Sequence, residues 1–435
     1  MSGDGTSAAA LLERLEAESG KPLRAMLEIS DRCNEVCVHC YQVQGQKGEL
    51  STAEWKRVLD ELAEAGVLLL TLSGGEATLR HDFLELVAYA RQRDFVVRVF
   101  TNGLTMTPEL AAELRRLCVI DVEISLYATR ADLHDFVTGV PGSFERTVRG
   151  VQALRRAGVP VTIKTLVMSL NQADLIHYPA FALELDVQHR VDTMGVMPRE
   201  GADRVTEAFQ PDGVALNGLE TLLGCAPEAL PELAEEDGRK PESELLCAAA
   251  YELHFEANGE ARPCTMLEVK LGQLAPEAGH GPLQAFESST AREMRALRWG
   301  HLHGCRECDL ARLCTRCHAS ALAETGDALG PYPSACARAR RNFEAAHPAL
   351  RVVASGARGT ALGPYRRLGP GLYEAIEDRV TQDDHARAQQ LGWVRRDQGG
   401  SAAPELAIRP GELVQIRRPG RKSFRLERVP GETAR

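Results

Sequence analysis

The sequence has no long apolar run and no surplus of positive charge, and each absence excludes a class of protein. No run approaches the roughly 20 apolar residues that span a bilayer, and Met1–Ala10 lack the basic and then apolar pattern of a secretory leader. We therefore expect a cytoplasmic protein without membrane contact. The formal net charge of -10 at pH 7 argues against a broad nucleic-acid footprint, so no nucleic-acid partner is expected.

Cysteine is abundant, and its positions are grouped. The 435 residues include 12 cysteines, and nine of them, all except Cys118, Cys225 and Cys336, fall into groups whose spacing suits iron–sulfur or zinc binding. The cytosol keeps thiols reduced, so metal binding is favoured over disulfides. In the first group, Cys33-x3-Cys37-x2-Cys40, three thiolates leave one iron of a four-iron cube without a protein ligand. Zinc binding and simple burial are the alternatives for these three thiols.

Strand and helix patterns alternate from Leu23 onward, which predicts an α/β fold with a parallel sheet. Ser51 to Glu54 form a capping box and Pro108 follows Thr107, so helices are expected to begin at both places. The predicted strands are Leu23–Ser30, Val67–Leu72, Val96–Thr101, Val119–Ser125, Val161–Val167 and Val187–Val196. A barrel and a doubly wound sheet both satisfy this alternation.

Polar residues follow three successive predicted strands. Ser73-Gly74-Gly75-Glu76 follows the second strand, Thr101-Asn102-Gly103 follows the third, and Ser125 ends the fourth. Glycines let the backbone approach a ligand closely, and Glu76 offers a carboxylate to an amino group. Each motif alone is more often a turn or a strand-end cap. Their recurrence at successive strand ends predicts a shared binding site.

A second cysteine field begins near residue 247. It contains two Cys-x2-Cys pairs and comprises Cys247, Cys264, Cys305, Cys308, Cys314, Cys317 and Cys336. Such pairs are typical of zinc ribbons, so this field by itself is compatible with zinc and with iron–sulfur clusters. Cys118 and Cys225 are expected to be ordinary apolar thiols, and Cys118 is expected in the core.

The first cysteine group, followed by Tyr41 and combined with the strand-end motifs, resembles the radical S-adenosylmethionine (radical SAM) superfamily. The second field resembles the SPASM extension, which carries auxiliary iron–sulfur clusters in peptide-modifying maturases of that superfamily. The resemblance covers about residues 23–345. It implies a partial (β/α)6 TIM barrel, a C-terminal cysteine-rich auxiliary-cluster domain and a small C-terminal extension.

The implied domains follow the chain in order. They are an N-terminal helix (1–22), the radical SAM partial barrel (23–200), a sixth helix and connector (201–240), the SPASM auxiliary-cluster domain (241–348) and a C-terminal extension of unknown role (349–435). In the extension we predict a helix at Leu372–Leu391 and a hairpin that pairs Leu413–Arg417 with Ser423–Arg428.

The resemblance also implies cofactor contacts in the barrel. Cys33, Cys37 and Cys40 would hold a [4Fe-4S] cluster bound to S-adenosylmethionine. The loop Ser73, Gly74, Gly75 and Glu76 would hold the methionyl amine, although Ala77 replaces the proline that the family normally has there. Thr101 and Asn102 would lie beside the cofactor, and Ser125 would lie near its carboxylate or ribose.

Two auxiliary iron–sulfur clusters, of the [4Fe-4S] type, are implied for the second field. A distal set of Cys305, Cys308, Cys314 and Cys336 would bind one, and a proximal set of Cys247, Cys264 and Cys317 would bind the other. The proximal set is one ligand short, which predicts an open iron or ligation by Cys225. Cys314 and Cys317 are separated by two residues, where the family normally has three.

The function implied is that of a radical SAM oxidoreductase of the peptide maturase type. One electron, from a donor such as flavodoxin or ferredoxin, cleaves S-adenosylmethionine to methionine and a 5'-deoxyadenosyl radical. The radical takes hydrogen from a peptide or protein side chain, and a cross-link, thioether or oxidised residue results. The sequence names no general base.

Three alternatives stay open. A formylglycine-type dehydrogenase normally has Asp after the cysteine matched by Cys264, and Thr265 stands there in this chain. Small-molecule oxidation, for example of a tetrapyrrole, is compatible with the same barrel and clusters. A non-catalytic iron–sulfur or zinc binding module is the third, and the intact first cysteine group argues against it.

Overall fold

Strands and helices alternate through the amino-terminal part of the chain, as the sequence predicts. The computed structural model describes residues 8–42, 44–45, 48–193, 240–247, 249–308, 310–346, 365–369, 372–375, 412–420 and 423–433. The first strands are β1 (Arg24–Ser30), β2 (Leu69–Gly74), β3 (Val96–Thr101), β4 (Asp121–Ser125), β5 (Val161–Leu166) and β6 (Gln188–Asp192). The accompanying helices are α1 (Ala8–Ser19), α2 (Thr52–Glu64), α3 (Phe83–Gln92), α4 (Pro108–Arg116), α5 (Ala131–Thr138), α6 (Ser143–Ala157) and α7 (Tyr178–Glu184).

Two of these helices begin at the predicted capping residues. Ser51 and Glu54 form a reciprocal capping box at the start of α2. The Thr107 side chain accepts a hydrogen bond from Leu110 N at the start of α4, where proline occupies the first turn. These caps satisfy amide donors that have no partner inside a helix. Both helix starts are therefore confirmed.

A single sheet joins the first six strands to the cysteine-rich region. Its described order is β6-β5-β4-β3-β2-β1-β7-β8-β9. Strands β1 to β6 are parallel to their neighbours, and β7 (Leu253–Phe255) pairs with β1, also in parallel. Strands β8 (Glu260–Arg262) and β9 (Gly272–Gln273) continue it antiparallel. The predicted α/β fold with a parallel sheet is confirmed.

The two faces of the sheet carry different side chains. Leu27 and Ile29 of β1 are buried in the core cluster that includes Trp55 and Val58 of α2. Their neighbour Glu28 has a strand position of the opposite parity, so its side chain lies on the other face. The same alternation recurs in β4, where apolar Val122 and Ile124 alternate with polar residues. The face away from the helices is thus polar.

Four helices and four strands follow in the described carboxy-terminal part of the chain. Helices α8 (Pro282–Phe286), α9 (Ser289–Ala296), α10 (His318–Thr325) and α11 (Pro333–Ala346) precede β10 (Tyr365–Gly369), β11 (Leu372–Ala375), β12 (Glu412–Gly420) and β13 (Ser423–Thr433). The antiparallel pair β12–β13 confirms the predicted hairpin. Within the part of the chain that is described, no helix has the length and apolar character that crossing a membrane would require.

Two predictions about local structure are wrong. Leu372–Ala375, the start of the predicted helix Leu372–Leu391, forms a strand paired with Tyr365–Gly369. Pro370 and Gly371, which separate the two strands in sequence, are residue types typical of turns. Residues 376–391, the connector at 201–239 and Cys225 lie outside the described residues.

Cys118 is exposed rather than buried in the core. Helix α4 ends at Arg116, and Cys118 has a φ of +53° just beyond it. Its backbone N–H donates to Arg115 O at 3.0 Å, as in the left-handed turn that commonly ends a helix. The turn directs Cys118 outward, and Val119 is the buried residue that follows.

A buried ion pair fixes α1 to the start of β1 and can be tested. The Glu16 carboxylate accepts from Leu23 N at 3.1 Å and from Arg24 Nη2 at 2.7 Å. Glu16→Ala would leave a largely buried guanidinium without this partner, so we expect a loss of about 3–5 kcal/mol in the free energy of unfolding. Urea denaturation followed by circular dichroism measures it.

Glu18→Ala on the same helix is the matched control. Glu18 forms an exposed pair with Arg14 at 4.0 Å, for which a loss below about 1 kcal/mol is expected. Equal losses in the two variants would contradict the assignment.

Candidate active site

The loop after β1 carries Cys33, Cys37 and Cys40, here called the first cysteine set. Backbone hydrogen bonds hold its middle against the end of α5: Val36 N donates to Thr138 O and Val38 N to Val137 O, both at 2.9 Å. The Val38 side chain is buried with Val137 in a small apolar cluster. The loop is therefore fixed between its first and last cysteines.

The three thiols of the first set lie close enough to affect one another. Burial raises the pKa of Cys33 above its usual range, and the neighbouring Cys40 thiol contributes to the rise. Burial also raises the pKa of Cys37, with contributions from Cys40 and Cys33. Thiolates are the form that binds metal, and a positively charged iron site would offset the cost of burying them. The donor set therefore fits an iron–sulfur cluster with one iron left for another ligand.

Gly74 and Gly75 let the second loop pack directly against the first. Gly75 N donates to Ser30 O at 2.7 Å, and Glu76 N donates to Arg32 O at 2.8 Å. A Cβ added to Gly75 would lie 2.4 Å from Arg32 O, and one on Gly74 would lie 2.4 Å from Ser30 O. Both glycines are therefore required for contact between the two loops. The sequence analysis instead predicts that they let the backbone approach a ligand closely.

The Glu76 carboxylate joins the second and third loops. Its Oε1 accepts from Thr78 N at 3.1 Å, Thr78 Oγ1 at 2.6 Å and Thr101 Oγ1 at 2.7 Å. Its Oε2 accepts from Asn102 N at 2.7 Å. The residues predicted to hold the methionyl amine thus lie together, with Ser73 buried at the end of β2 beside them. Most of the hydrogen-bonding capacity of Glu76 is already used by the protein.

Asn102 connects the third loop to the first cysteine set. Its Nδ2 donates to Asn34 Oδ1 at 2.6 Å and lies 3.9 Å from Cys33 Sγ. The Asn102 carbonyl accepts from Thr147 Oγ1 of α6 at 2.9 Å. The structure therefore brings Glu76, Thr101 and Asn102 to the cysteine loop.

Ser125 reaches the same region through Tyr127. Burial raises the pKa of Tyr127 well above its usual range, with contributions from Cys37 and Glu35, whereas the Ser125 side chain lowers it. The Tyr127 ring lies edge-on to His39, with 4.5 Å between ring centroids. Burial lowers the pKa of His39 to about 4, so its imidazole is neutral at pH 7. The Cys-x2-Cys spacing identified the thiols but gave no role to Tyr127 or His39.

Glu35 is a second residue that sequence reasoning missed. It is buried, and Cys37 Sγ donates to its Oε2 at 3.4 Å. Burial raises the pKa of Glu35 to about 8. No sequence signal distinguishes this carboxyl from a solvated one in the same loop.

Tyr41, Glu28 and His254 link the cysteine loop to β7. Tyr41 Oη donates to Glu28 Oε1 at 3.0 Å, and His254 Nε2 lies 3.1 Å from the same oxygen. Glu28 and His254 are both buried on the polar face of the sheet. The loop that carries the first cysteine set is therefore in contact with the region that carries the second field.

A charged cluster occupies the polar face at β4, β5 and β6. Glu123 Oε2 lies 3.6 Å from Lys164 Nζ and 2.8 Å from Arg190 Nη2. Lys164 Nζ also lies 3.1 Å from the centroid of the Phe100 ring. Burial lowers the pKa of Lys164 to about 8, Glu123 opposes the shift and Arg190 adds to it. A partly neutral amine therefore lies on the polar face of the sheet, at the β5 position that pairs with Ser125 of β4.

The four cysteines of the distal set lie together. Burial raises the pKa of Cys314 to about 12, and the thiols of Cys305 and Cys308 raise it further. Burial raises the pKa of Cys336, with contributions from Cys305, Cys314 and Cys308.

The three cysteines of the proximal set form a separate group. Burial raises the pKa of Cys264 to about 12, and the thiols of Cys247 and Cys317 contribute. Cys264 follows β8 closely, and Cys317 immediately precedes α10. Each of these thiols therefore lies near others of its own set, and the assignment of the two sets to two clusters stays a prediction.

Comparison with known proteins identifies the barrel. The family model for the Radical SAM superfamily matches residues 27–178. This part of the chain belongs to the radical SAM superfamily. The match contains the first cysteine set and all of the strand-end residues considered above. Membership in this superfamily implies a [4Fe-4S] cluster that binds S-adenosylmethionine, as the sequence predicts.

Three curated relatives extend the similarity. An AdoMet-dependent heme synthase of Methanosarcina barkeri is 29% identical over 346 residues, 73% of this chain and 97% of that protein. The mycofactocin maturase MftC of Mycobacterium tuberculosis is 38% identical over 175 residues, 40% of this chain and 44% of that protein. A PqqA peptide cyclase of Bradyrhizobium diazoefficiens is 28% identical over 340 residues, 75% and 89% of the two chains. The match to the maturase thus spans less than half of its length.

A solved structure shares the fold. SuiB of Streptococcus suis, in a crystal structure bound to the precursor peptide SuiA, aligns with a TM-score of 0.54 at 17% sequence identity. The alignment covers 72% of this chain and 76% of that chain. Its extent shows that the likeness of fold reaches beyond residues 27–178.

The contact between the first two loops can be tested at Gly75. In Gly75→Ala the added Cβ would clash with Arg32 O, so we expect a loss of about 1–3 kcal/mol in the free energy of unfolding, as for an overpacked core. We also expect less iron per chain after anaerobic reconstitution, because the cysteine loop must shift. Urea denaturation and an iron assay measure the two effects.

Gly272→Ala is the control for this substitution. A Cβ at Gly272 would meet Ala285 Cβ at 3.4 Å, an ordinary contact. If both variants retain the stability and iron content of the parent, the loops do not depend on this approach.

The amine of Lys164 should titrate near pH 8 rather than near its ordinary pKa of about 10.4. Competitive labelling with an amine-reactive anhydride at several pH values, read by mass spectrometry, gives the midpoint. Glu123 favours the charged amine, so Glu123→Gln should move the midpoint to lower pH. A midpoint near 10 in the parent, or no movement in the variant, would contradict the burial of this amine beside Glu123.

Proposed function

We propose that the chain is a radical SAM oxidoreductase of the SPASM type that modifies a side chain of a peptide or protein. The observation that carries the proposal is the placement of the first cysteine set beside the loops of Glu76, Thr101 and Asn102, on a sheet that continues through β7 and β8 to Cys264 of the second field. The relatives named as a maturase and a peptide cyclase support a peptide substrate, and the peptide-bound neighbour agrees.

The barrel residues would bind and orient the cofactor. Cys33, Cys37 and Cys40 would hold the [4Fe-4S] cluster, and the free position beside them would take S-adenosylmethionine. When bound, these groups supply a 5'-deoxyadenosyl radical that abstracts hydrogen from an unactivated carbon. The Ser73–Glu76 loop would receive the methionyl amine, and Ser125 would lie near the carboxylate or ribose. The hydrogen bonds of Glu76 and Asn102 would fix these loops before the cofactor arrives.

The second field would provide the oxidising half of the reaction. The distal and proximal sets would each hold an auxiliary cluster, which accepts one electron from the substrate when bound. The proximal set contributes three thiols from the described residues, which leaves a position for a substrate heteroatom or for Cys225. A cross-linked, thioether or oxidised residue would result. An electron donor such as flavodoxin or ferredoxin would reduce the first cluster.

A tetrapyrrole is a second candidate substrate. The heme synthase matches over 97% of its length, whereas the maturase matches over 44% of its length. A substrate of this class would also use the barrel and the auxiliary clusters. The two candidates differ in the substrate consumed, so a single assay separates them.

Anaerobic incubation with S-adenosylmethionine, a reductant and each candidate substrate tests the proposal. We expect 5'-deoxyadenosine, and a peptide product that has lost two hydrogens in the mass spectrum. Loss of mass from a tetrapyrrole alone would assign the second candidate instead.

Cys33→Ala should abolish deoxyadenosine formation, because the first cluster loses a ligand. Cys118→Ala is the matched control, since Cys118 is exposed and far in sequence from every cysteine set; it should retain activity. Absence of deoxyadenosine from the reconstituted parent chain under every condition would favour a non-catalytic binding module.

A further inference from the structure

Arg80 is a buried cation that has no part in the proposed chemistry. It follows the Ser73–Glu76 loop closely, at the end of the short 3-10 turn Ala77–Leu79. Only 5% of its side chain is exposed. A buried guanidinium is unfavourable unless carboxylates and hydrogen bonds compensate its charge. The position of Arg80 is therefore determined by the groups that compensate it.

One side of the Arg80 guanidinium pairs with Asp82. Nε donates to Asp82 Oδ1 and Nη2 donates to Oδ2, both at 2.8 Å. Asp82 Oδ2 also accepts from Thr52 Oγ1 of α2 at 2.5 Å. Burial opposes the charge on Asp82, but the hydrogen bonds from Arg80 and Thr52 lower its pKa to about 2. This two-point contact fixes the orientation of the guanidinium as well as compensating its charge.

Nη1 of Arg80 contacts the end of β1 and the segment before α2. It donates to Ile29 O at 2.8 Å, to Leu50 O at 3.3 Å and to Glu49 Oε2 at 3.2 Å. Ile29 belongs to β1, which leads directly into the loop of Cys33. A side chain that follows the Ser73–Glu76 loop therefore holds the backbone from which the cysteine loop begins.

Glu49 continues this contact into the cysteine loop. Its Oε1 accepts from three consecutive residues just before Cys33, namely from Ser30 Oγ at 2.6 Å, Asp31 N at 3.2 Å and Arg32 Nε at 3.2 Å. The other oxygen of the same carboxylate accepts from Arg80. Arg80 and Glu49 thus link the two loops in addition to the backbone hydrogen bonds between them.

The relative position of the two loops matters for a ligand that must contact both. S-adenosylmethionine would bind the open iron of the first cluster, and its methionyl amine would lie at the Ser73–Glu76 loop. A site whose parts are held in place before the ligand arrives binds more tightly than one whose parts must first be aligned. The link through Arg80 supplies such a constraint.

We propose that Arg80 is a positioning residue for S-adenosylmethionine. Through Ile29 and Glu49 it holds the cysteine loop where one cofactor molecule reaches both the first cluster and the Ser73–Glu76 loop. The proposal rests on the proposed function, because it requires the first cluster and its cofactor. Arg80 acts through these neighbours, so no catalytic role is assigned to it.

Binding of S-adenosylmethionine to the Arg80→Gln variant tests this. The full chain is reconstituted anaerobically, and the dissociation constant for radiolabelled cofactor is measured by equilibrium dialysis, with iron per chain determined on the same sample. We expect the affinity to fall by about tenfold or more. Iron should stay at the parent level, because the backbone hydrogen bonds of Gly75 and Glu76 still hold the cysteine loop. The change that added cofactor produces in the EPR spectrum of the reduced protein should be smaller than in the parent.

Arg24→Gln is the matched control. Arg24 is another buried guanidinium, at the opposite end of β1, and it pairs with Glu16 at 2.7 Å. Its loss should destabilise the fold and leave the affinity for the cofactor unchanged. Parent affinity in Arg80→Gln, an equal loss of affinity in Arg24→Gln, or loss of iron from Arg80→Gln in proportion to the loss of binding would overturn the proposal.

Glu49→Gln decides the question if Arg80→Gln does not fold. This substitution keeps the volume of the side chain and removes the charge that pairs with Arg80. Weaker binding of the cofactor with unchanged iron is again expected, and parent affinity in this variant would contradict the proposal.

The proposed function fails by a different observation. A parent chain that cleaves the cofactor but modifies no peptide contradicts the proposed substrate. A parent chain that holds iron but binds no S-adenosylmethionine overturns the inference on Arg80.

Discussion

The carboxylate of Glu76 is the contact on which the arrangement of the site depends. A buried carboxylate is unfavourable unless hydrogen bonds replace its water, and Glu76 accepts from Thr78, Thr101 and Asn102. Its own amide donates to Arg32 O in the cysteine loop. Three loops that follow three strands are therefore positioned by one residue. Partly satisfied buried networks are costly, so a displacement of one loop must affect the other two.

The sheet extends this coupling to the second cysteine field. Strand β7 pairs with β1 through the backbone. The cysteine-rich region is therefore joined to the barrel strands by a shared sheet as well as by the chain that connects them. His254 of β7 meets Glu28 of β1, and Glu28 meets Tyr41 next to the first cysteine set. On the next strand, Arg262 precedes Cys264 by two residues. The separation between the first and proximal sets is thus set by strand geometry, which a flexible linker could not maintain.

Sequence reasoning found the repeated elements and missed the single contacts. Six strands of β-branched and apolar residues, and two helices with strong caps, are specified locally and could be predicted. The strand Leu253–Phe255 is only three residues long, so its pairing with β1 depends on tertiary contact and gives no local pattern. The prediction that Cys118 lies in the core is wrong for a related reason. Its left-handed backbone conformation directs the side chain to solvent, and the apolar sequence around it does not indicate this turn.

In the candidate site, too, the spacing of residues in the sequence could be interpreted, whereas the contacts between distant residues could not be predicted. Cysteine spacing and family resemblance predicted the three cysteine sets. Neither indicated that Gly74 and Gly75 serve loop packing, or that Glu35, His39 and Tyr127 surround the first set. These roles arise from groups brought together by different strands, and a linear motif does not encode them.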